Sequence, residues 1–373
     1  MMENVDITVI GAGVIGLAVS YLLSGAGKEV AVIEKNPSFG QEASSRNSEV
    51  IHAGLYYPKN SLKSLTCIRG KNLLYELCLK RNIPQEKVGK IIVARDKKDF
   101  LEINKIYENA LECGVKTLKF LSIKEIKKLE PRVNAKSAIF SPESGILDSH
   151  SLMEFFYREA KSRGADFAFS VEVTAVKKEK SGYKITVREP KKDFFTFRTS
   201  CVINCAGLYS GAVAALTGID PDKFGYSIHY CKGCYFRINN TKKFSVKRLI
   251  YPPPTETGLG IHVTPDLAGG LRIGPDAEYV KCINYDIDEW RKKIFLDSVS
   301  KFLPALEETD LSPDTAGIRA KLQGEGGGFR DFVIKNEEEK GFPNFVNLIG
   351  IESPGLTGSL AIAERVLSCL NIH

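Results

Sequence analysis

Three glycines, at positions 11, 13 and 16, stand between the pattern of a buried strand and that of a helix. Residues 6–10 are rich in β-branched side chains and have little polarity, as in a strand buried on both faces, and an apolar helical pattern follows the glycines. A second strand-like run, residues 29–33, ends at Glu34. A right-handed crossover would place the two strands side by side in one parallel sheet.

The turn between strand and helix has the pattern G-x-G-x-x-G, which is typical of dinucleotide binding. The first glycine makes the tight turn, the second lets the backbone approach a pyrophosphate, and the third lets helix and strand pack closely. Glu34 follows Gly16 at close to the spacing of about 20 residues expected for an acid that binds a ribose hydroxyl, which disfavours a 2′-phosphate and hence NADP. The residues predicted to contact the dinucleotide in this unit are Gly11, Gly13, Val14, Ile15, Gly16, Glu34 and Lys35.

Composition limits the classes of function. A chain of 373 residues with 43% hydrophobic and 26% charged residues can bury a core and form about two domains. The net charge of +7 is mild and the basic residues are scattered, so we predict no nucleic-acid partner. Nine cysteines, an odd number at irregular spacings, favour a reducing compartment. Cys231-x-x-Cys234 lacks a second pair or a histidine cluster, so we predict no metal site.

The patterns along the rest of the chain predict an α/β fold with an α+β second domain. Helical patterns cover residues 61–81, 149–163 and 286–302, and parallel-type strands occur at the start, in the middle (201–205) and at the end (346–350). We therefore predict a Rossmann-type dinucleotide-binding domain with a parallel sheet, and an inserted substrate domain with a mainly antiparallel sheet. The predicted boundaries are residues 1–83, 145–228 and 318–373 for the first domain, and 84–144 and 229–317 for the second.

The chain also carries motifs outside the glycine turn. They are Ser-Arg-Asn-Ser at 45–48, Ile-His-Ala-Gly at 51–54, Asn-Cys-Ala-Gly at 204–207, Gly-Ile-His-Val-Thr at 260–264, Ala-Gly-Ile-Arg at 316–319 and Ile-Gly-Ile-Glu-Ser-Pro-Gly-Leu-Thr at 349–357. On these residues the chain resembles, nearly from end to end, the D-amino-acid-oxidase-like FAD-dependent oxidoreductases. Among them it is most similar to the L-2-hydroxyglutarate dehydrogenase/oxidase family. The resemblance implies FAD as the cofactor and oxidation of a small L-2-hydroxy acid, L-2-hydroxyglutarate first, by hydride transfer to the flavin.

The resemblance also implies roles for single residues. Val173 would offer its backbone to the adenine. The turn at Gly355, Leu356 and Thr357 would meet the pyrimidine edge of the flavin, where the start of the final helix can stabilise negative charge. The remaining residues that it places along FAD are Ser45, Asn47, Ser48, Ala206 and Gly207.

Three residues are predicted to carry the chemistry. Oxidation of a 2-hydroxy acid needs a cation for the carboxylate and a base for the hydroxyl proton. Arg319 is the predicted carboxylate anchor, because a guanidinium binds a carboxylate through two parallel hydrogen bonds. His52 and His262 are the candidate bases, with His52 preferred because it stands in the loop expected beside the flavin.

One departure from the family pattern lies in the segment Lys232-Gly-Cys-Tyr-Phe236. Cys234 stands where the family usually carries an acid, which leaves the contacts to the far end of the substrate undefined, with Lys232 as a candidate second cation. Three alternatives therefore stay open. They are an amine oxidoreductase of the glycine or sarcosine type, a glycerol-3-phosphate dehydrogenase, and an inactive flavin-binding subunit of a complex.

The sequence further predicts a cytoplasmic protein with a small carboxylate substrate. No uninterrupted run of about 18 apolar residues occurs, so we predict no transmembrane segment. A peripheral contact with the inner face of the membrane, or with a quinone or another electron carrier, stays open.

Overall fold

The computed structural model describes residues 4–191, 193–254 and 258–372. In this part of the chain, strands form two large sheets and one small sheet, and helices pack around them. The strands are β1 (Asn4–Ile10), β2 (Val30–Glu34), β3 (Val50–Ile51), β4 (Gln85–Glu86), β5 (Lys90–Ala94), β6 (Lys119–Ser122), β7 (Ser137–Ser141), β8 (Gly145–Leu147), β9 (Asp166–Phe169), β10 (Glu172–Lys178), β11 (Tyr183–Arg188), β12 (Phe194–Asn204), β13 (His229–Ile238), β14 (Leu249–Tyr251), β15 (His262–Pro265), β16 (Leu271–Gly274), β17 (Glu278–Val280), β18 (Leu311–Lys321), β19 (Val333–Asn336) and β20 (Phe345–Ile349). The α-helices are α1 (Val14–Gly25), α2 (Leu62–Arg81), α3 (Lys97–Glu112), α4 (Ile123–Leu129), α5 (Ser149–Ser162), α6 (Ser210–Ala215), α7 (Pro221–Phe224), α8 (Thr241–Phe244), α9 (Arg291–Val299) and α10 (Gly355–Cys369).

The first large sheet contains the predicted β-α-β unit. Its strand order is β10-β11-β12-β1-β2-β9, with β20 beside β12 and β19 beside β20. The pairs β1–β2, β1–β12, β2–β9 and β12–β20 are parallel, whereas β10, β11 and the first half of β12 form an antiparallel meander. Helix α1 crosses from β1 to β2 and packs between α5 and α10, because small and aliphatic side chains cover most of its surface. The Rossmann-type part of the predicted fold is confirmed.

The second large sheet is mainly antiparallel, also as predicted. Its order is β17-β13-β16-β15-β14-β5-β7-β6, and β18 pairs with β13 along most of its length. The pair β5–β14 is the parallel exception. A separate core of aliphatic side chains and phenylalanines, with Phe236 and Phe295 fully buried at its centre, supports this sheet.

Two local features differ from the expectations. Helix α9 begins at Arg291, not near residue 286, because Asp286 N–H bonds the side chain of Asn284 and Arg291 N–H bonds the Asp288 carbonyl in a turn that precedes the helix. Strand β18 runs through residue 318, where we placed a domain boundary, and keeps pairing with β13 to Lys321. Arg319 therefore lies on a strand of the second sheet. The other domain boundaries stay predictions, and residues 1–3, 192, 255–257 and 373 within them lie outside the described residues.

None of the helices in the described ranges is both long enough and apolar enough to cross a membrane.

Candidate active site

In the turn between β1 and α1, backbone atoms of neighbouring segments lie so close that a side chain would not fit. Gly11 has φ = +104°, and a Cβ atom there would lie 2.6 Å from the carbonyl oxygen of Cys205. A Cβ atom on Gly16 would lie 1.9 Å from the carbonyl oxygen of Gly11. Both positions therefore require glycine, as expected for a turn that holds β1, β12 and α1 in close packing.

The first turn of α1 exposes backbone donors. Its N-cap residue, Gly13, supplies no side-chain cap, and the N–H of Val14 donates to Ser44 Oγ at 3.0 Å. A helix start with free N–H groups and a partial positive charge is suited to a phosphate. Ser44 was not among the predicted contact residues, although the Ser-Arg-Asn-Ser motif that follows it, residues 45–48, contains three of them.

The end of β2 is tied to the glycine turn. One carboxylate oxygen of Glu34 accepts a hydrogen bond from Ala12 N–H at 2.7 Å, and the other accepts from Asn36 N–H at 2.8 Å. Just before β10 the chain again passes the end of β2, where Val171 N–H donates to the Glu34 carbonyl. Strand β10, which carries Val173, thus begins close to the end of β2, and the Nζ of Lys35 lies 3.6 Å from the centroid of the Tyr209 ring.

A cavity of about 890 Å³ is lined by residues of both large sheets and of the first turn of α10. It brings together the three predicted catalytic residues, which are far apart in the sequence. The predicted residues that line it are Val14, Ile15, Asn47, Ser48, His52, Gly207, His262, Arg319, Gly355, Leu356 and Thr357. The predicted residues outside its lining are Gly11, Gly13, Gly16, Glu34, Lys35, Ser45, Val173 and Ala206. Of these, Ser45 turns its hydroxyl back to the Glu42 carbonyl.

His52 is buried and lies next to the start of α10. Its backbone N–H donates to Thr357 Oγ1 at 3.0 Å, and its Nε2 lies 3.3 Å from Ser353 Oγ. Its Nδ1 has no hydrogen-bond partner among the described residues. When Nε2–H donates to Ser353, Nδ1 carries a free lone pair. Burial, together with the charge of Lys90 and with His262, holds the pKa of His52 well below its usual value of 6.5.

His262 is fixed by two contacts. Its Nδ1 donates to the Gly260 carbonyl oxygen at 2.7 Å, and its ring stacks on Tyr251 with the centroids 3.7 Å apart. The hydrogen bond leaves Nε2 as an acceptor, and Nε2 has no partner in the described part of the chain. Burial lowers the pKa of His262 to about 3, and the charges of Lys90 and Arg319 act in the same direction.

Lys90 is the buried cation beside both histidines. Its Nζ lies 3.8 Å from the centroid of the Tyr251 ring and 5.4 Å from that of Tyr56. It has no carboxylate partner within residues 4–191, 193–254 and 258–372, and burial lowers its pKa to about 7. Sequence reasoning missed this residue because a lysine at the start of a strand is usually solvated.

Arg319 projects from β18 next to β13. One of its terminal nitrogens donates to the Asp276 carbonyl oxygen at 3.1 Å, and the other lies 3.5 Å from Cys231 Sγ. No carboxylate pairs with the guanidinium among the described residues, so its remaining N–H groups are available for an acid. Lys232, the other predicted cation, is outside the cavity lining, and its Nζ donates to the Asp286 carbonyl.

Several residues that line the cavity have buried polar atoms without a hydrogen-bond partner among the described residues. Besides the two histidine nitrogens, these are Tyr56 Oη, Tyr251 Oη and Gln323 Oε1, and all five residues line it. Buried polar groups in folded proteins are almost always hydrogen-bonded, so such a cluster fits a site that a polar ligand completes. The volume, the uncapped helix start and these atoms suit an extended dinucleotide together with a small acid.

Comparison of sequences identifies relatives along nearly the whole chain. A family described as FAD dependent oxidoreductase (DAO) matches residues 6–368. A mitochondrial L-2-hydroxyglutarate dehydrogenase of Arabidopsis thaliana is 39% identical over 98% of this chain and 83% of its own length. The L-2-hydroxyglutarate dehydrogenase of Indibacter alkaliphilus is 29% identical over 97% of each chain. A glycerol 3-phosphate dehydrogenase of Caloramator mitchellensis is 31% identical over 98% of this chain and 73% of its own.

Comparison of structures gives the same fold. L-α-glycerophosphate oxidase of Mycoplasma pneumoniae, solved with FAD bound, superposes with a TM-score of 0.88 at 26% identity, over 99% of this chain and 95% of that one. Glycine oxidase of Bacillus cereus superposes with a TM-score of 0.81 at 19% identity, over 98% and 97% of the two chains.

Proposed function

Because the chain belongs to the family of FAD-dependent oxidoreductases, we propose that it oxidises L-2-hydroxyglutarate to 2-oxoglutarate with FAD as its cofactor. The observation that carries the proposal is the meeting, in one cavity, of an arginine without a carboxylate partner and two neutral histidines. The names of the Arabidopsis and Indibacter relatives support the choice of substrate.

The residues around the cavity fit FAD. The N–H groups at the start of α1 would bind the pyrophosphate, and Glu34 would bind the ribose of the adenosine half, whose adenine would lie along the backbone of Val173. The residues that would border the flavin half are Asn47, Ser48, Gly207, Gly355, Leu356 and Thr357. When bound, FAD supplies the acceptor for the hydride that leaves the substrate carbon.

The side chains of the protein then do three things. Arg319 binds the carboxylate beside the reacting carbon and fixes its orientation. His52 takes the hydroxyl proton at Nδ1, while its Nε2–H is held by Ser353. His262, held by Gly260 and Tyr251, is a second neutral imidazole in the wall of the cavity, with Nε2 as its acceptor nitrogen.

The proposed function is tested by anaerobic mixing of the purified, FAD-loaded protein with L-2-hydroxyglutarate. We expect the flavin absorbance to bleach, with 2-oxoglutarate formed in equal amount, and D-2-hydroxyglutarate to be inert. Glycine, sarcosine and sn-glycerol 3-phosphate serve as rival substrates. Bleaching by one of these instead would replace the proposed substrate, and no bleaching by any of the five would favour a flavin-binding subunit without activity.

Gly13→Val is expected to abolish FAD retention. A Cβ atom at residue 13 would lie 2.9 Å from Ser44 Oγ, so a branched side chain must displace Ser44 and occupy the approach of the pyrophosphate. The measurement is the FAD content after gel filtration, with the thermal unfolding curve recorded in parallel. Normal FAD content in a folded Gly13→Val protein would show that the phosphates bind elsewhere.

The rate of flavin reduction should not fall near neutral pH through protonation of a histidine. A base must be neutral to accept the proton, and the lowered pKa values of His52 and His262 keep both rings neutral until the pH falls far below 6.5. The second-order rate constant for reduction by L-2-hydroxyglutarate, which reports on the free enzyme, should therefore not fall between about pH 8 and pH 5. Lys90, whose pKa burial lowers to about 7, also titrates in this range, so the profile is repeated with Lys90→Met. A drop through pH 6.5 that persists in Lys90→Met would mean that the base is a histidine in contact with water.

A cytoplasmic location, and a peripheral contact with a membrane or an electron carrier, stay predictions.

A further inference from the structure

The cavity contains more than one cation, and most of them are already paired. Lys63 forms a buried salt bridge with Glu352 at 2.9 Å, and Lys105 pairs with Glu102 on the surface of α3. Arg46 stacks over the ring of Tyr285 with its guanidinium 4.0 Å from the centroid. These three cations therefore already have interaction partners within the protein.

Lys321 is different. It lines the cavity, only 8% of its surface is exposed, and no hydrogen bond, carboxylate or aromatic ring pairs with it in the described ranges. Lys321 therefore offers the cavity a positive charge that no acidic group of the described residues neutralises, and such a charge attracts an anion. The missing partner is thus expected to be something that enters the cavity.

The position of Lys321 relative to Arg319 defines that partner. Both residues lie on β18, where Arg319 is opposite Cys231 and Lys321 is opposite His229 on β13. Residues two apart on a strand point to the same face, about 6.6 Å from each other. That spacing is comparable with the separation of the two carboxylates at the ends of a five-carbon acid.

We propose that Lys321 binds the second carboxylate of a dicarboxylate substrate whose first carboxylate is bound by Arg319. This inference rests on the proposed function and deepens it, since it names the residue that selects a diacid over a monoacid. The pair gives the site two positive charges for two negative ones. An acid with a methyl group at the far end would leave Lys321 without a charge partner and would place an apolar group beside it, which is the physical basis of discrimination.

Lys232 offers a matched control. It is also 8% exposed, and it lies on the neighbouring strand β13 opposite Ile318. Its Nζ donates to the Asp286 carbonyl and it does not line the cavity. Lys232→Met therefore removes a buried lysine from the same sheet without removing a charge from the site.

The test compares Lys321→Met with Lys232→Met and the unmodified protein, all FAD-loaded. Substrates are L-2-hydroxyglutarate and L-2-hydroxybutyrate, and binding without turnover is followed by flavin spectral titration with glutarate and butyrate. For Lys321→Met we expect kcat/KM for the diacid and glutarate affinity to fall by roughly 10- to 100-fold, with the monoacid values changed less than about threefold. Lys232→Met should keep the diacid preference.

An unchanged diacid preference in Lys321→Met, or an equal loss for diacid and monoacid, would overturn the assignment. If Lys321→Met does not retain FAD, Lys321→Gln is tested in its place, and FAD loss in both variants would assign Lys321 to the cofactor and also overturn it. Failure of the proposed function looks different, because L-2-hydroxyglutarate would then not reduce the flavin of the unmodified protein. Glutarate binding weakened specifically in Lys321→Met would in that case still support a diacid site.

Discussion

His52→Ala is expected to slow anaerobic flavin reduction by L-2-hydroxyglutarate by ~100- to 10,000-fold, the usual contribution of general-base catalysis. The reason is that His52 is a buried, neutral imidazole, and its Nδ1 carries a free lone pair when Nε2–H donates to Ser353. Rapid mixing with absorbance detection measures the rate. FAD should stay bound, because the contact of residue 52 with Thr357 is made by the backbone and survives the substitution.

His262→Ala is the comparison variant for this prediction. It removes the ring that stacks on Tyr251 and is expected to slow reduction by less than about tenfold, since it takes away an acceptor but not the proposed base. A reversed order of the two effects would transfer the role of base to His262. A His52→Ala protein without FAD would assign His52 to cofactor binding.

Arg319→Lys is expected to reduce kcat/KM for L-2-hydroxyglutarate by an amount equivalent to about 2–4 kcal/mol of transition-state stabilisation. A guanidinium can bind a carboxylate through two parallel N–H groups, and an ammonium offers only a point charge. The Asp276 carbonyl and Cys231 fix the guanidinium in place, and that fixation is also lost. Steady-state kinetics should show a raised KM together with a lowered kcat.

Arg237→Lys is the matched control for Arg319→Lys. Arg237 lies on β13 of the same sheet, but its guanidinium pairs with Asp314 at 3.3 Å and does not line the cavity. Its substitution should change kcat/KM by less than about threefold. Equal effects of the two substitutions would mean that Arg319 acts on the stability of the sheet and not on the substrate.

Local patterns predicted the first part of the fold well because the β-α-β unit is complete within 31 residues, from Asn4 to Glu34. The strand, the glycine turn and the helix each depend on neighbours in the sequence, and the turn is fixed by backbone contacts that only glycine allows. The start of α9 was misplaced because the capping of a turn by Asn284 does not interrupt the apolar periodicity.

The site was predictable only in part. His52 and Arg319 are 267 residues apart, and it was the resemblance to a family, not any spacing, that placed them together. The sequence could have indicated Lys321, because side chains alternate between the two faces of a strand and residue 321 therefore shares a face with Arg319. Lys90 had none, because its burial depends on the ring of Tyr251, which reaches it through the pairing of β5 with β14.

The placement of the two proposed anchoring cations, Arg319 and Lys321, on β18 would make substrate choice a separable property of this enzyme. The glycine turn and Glu34 belong to the first sheet, whereas Arg319 and Lys321 belong to a strand hydrogen-bonded to the second. Substitutions in the two groups share no direct partner, so their effects on FAD affinity and on acid affinity should add independently. Evolution could then change which acid is bound through substitutions at a few positions of β18. The glycine turn and Glu34, which are proposed to bind FAD, would not have to change.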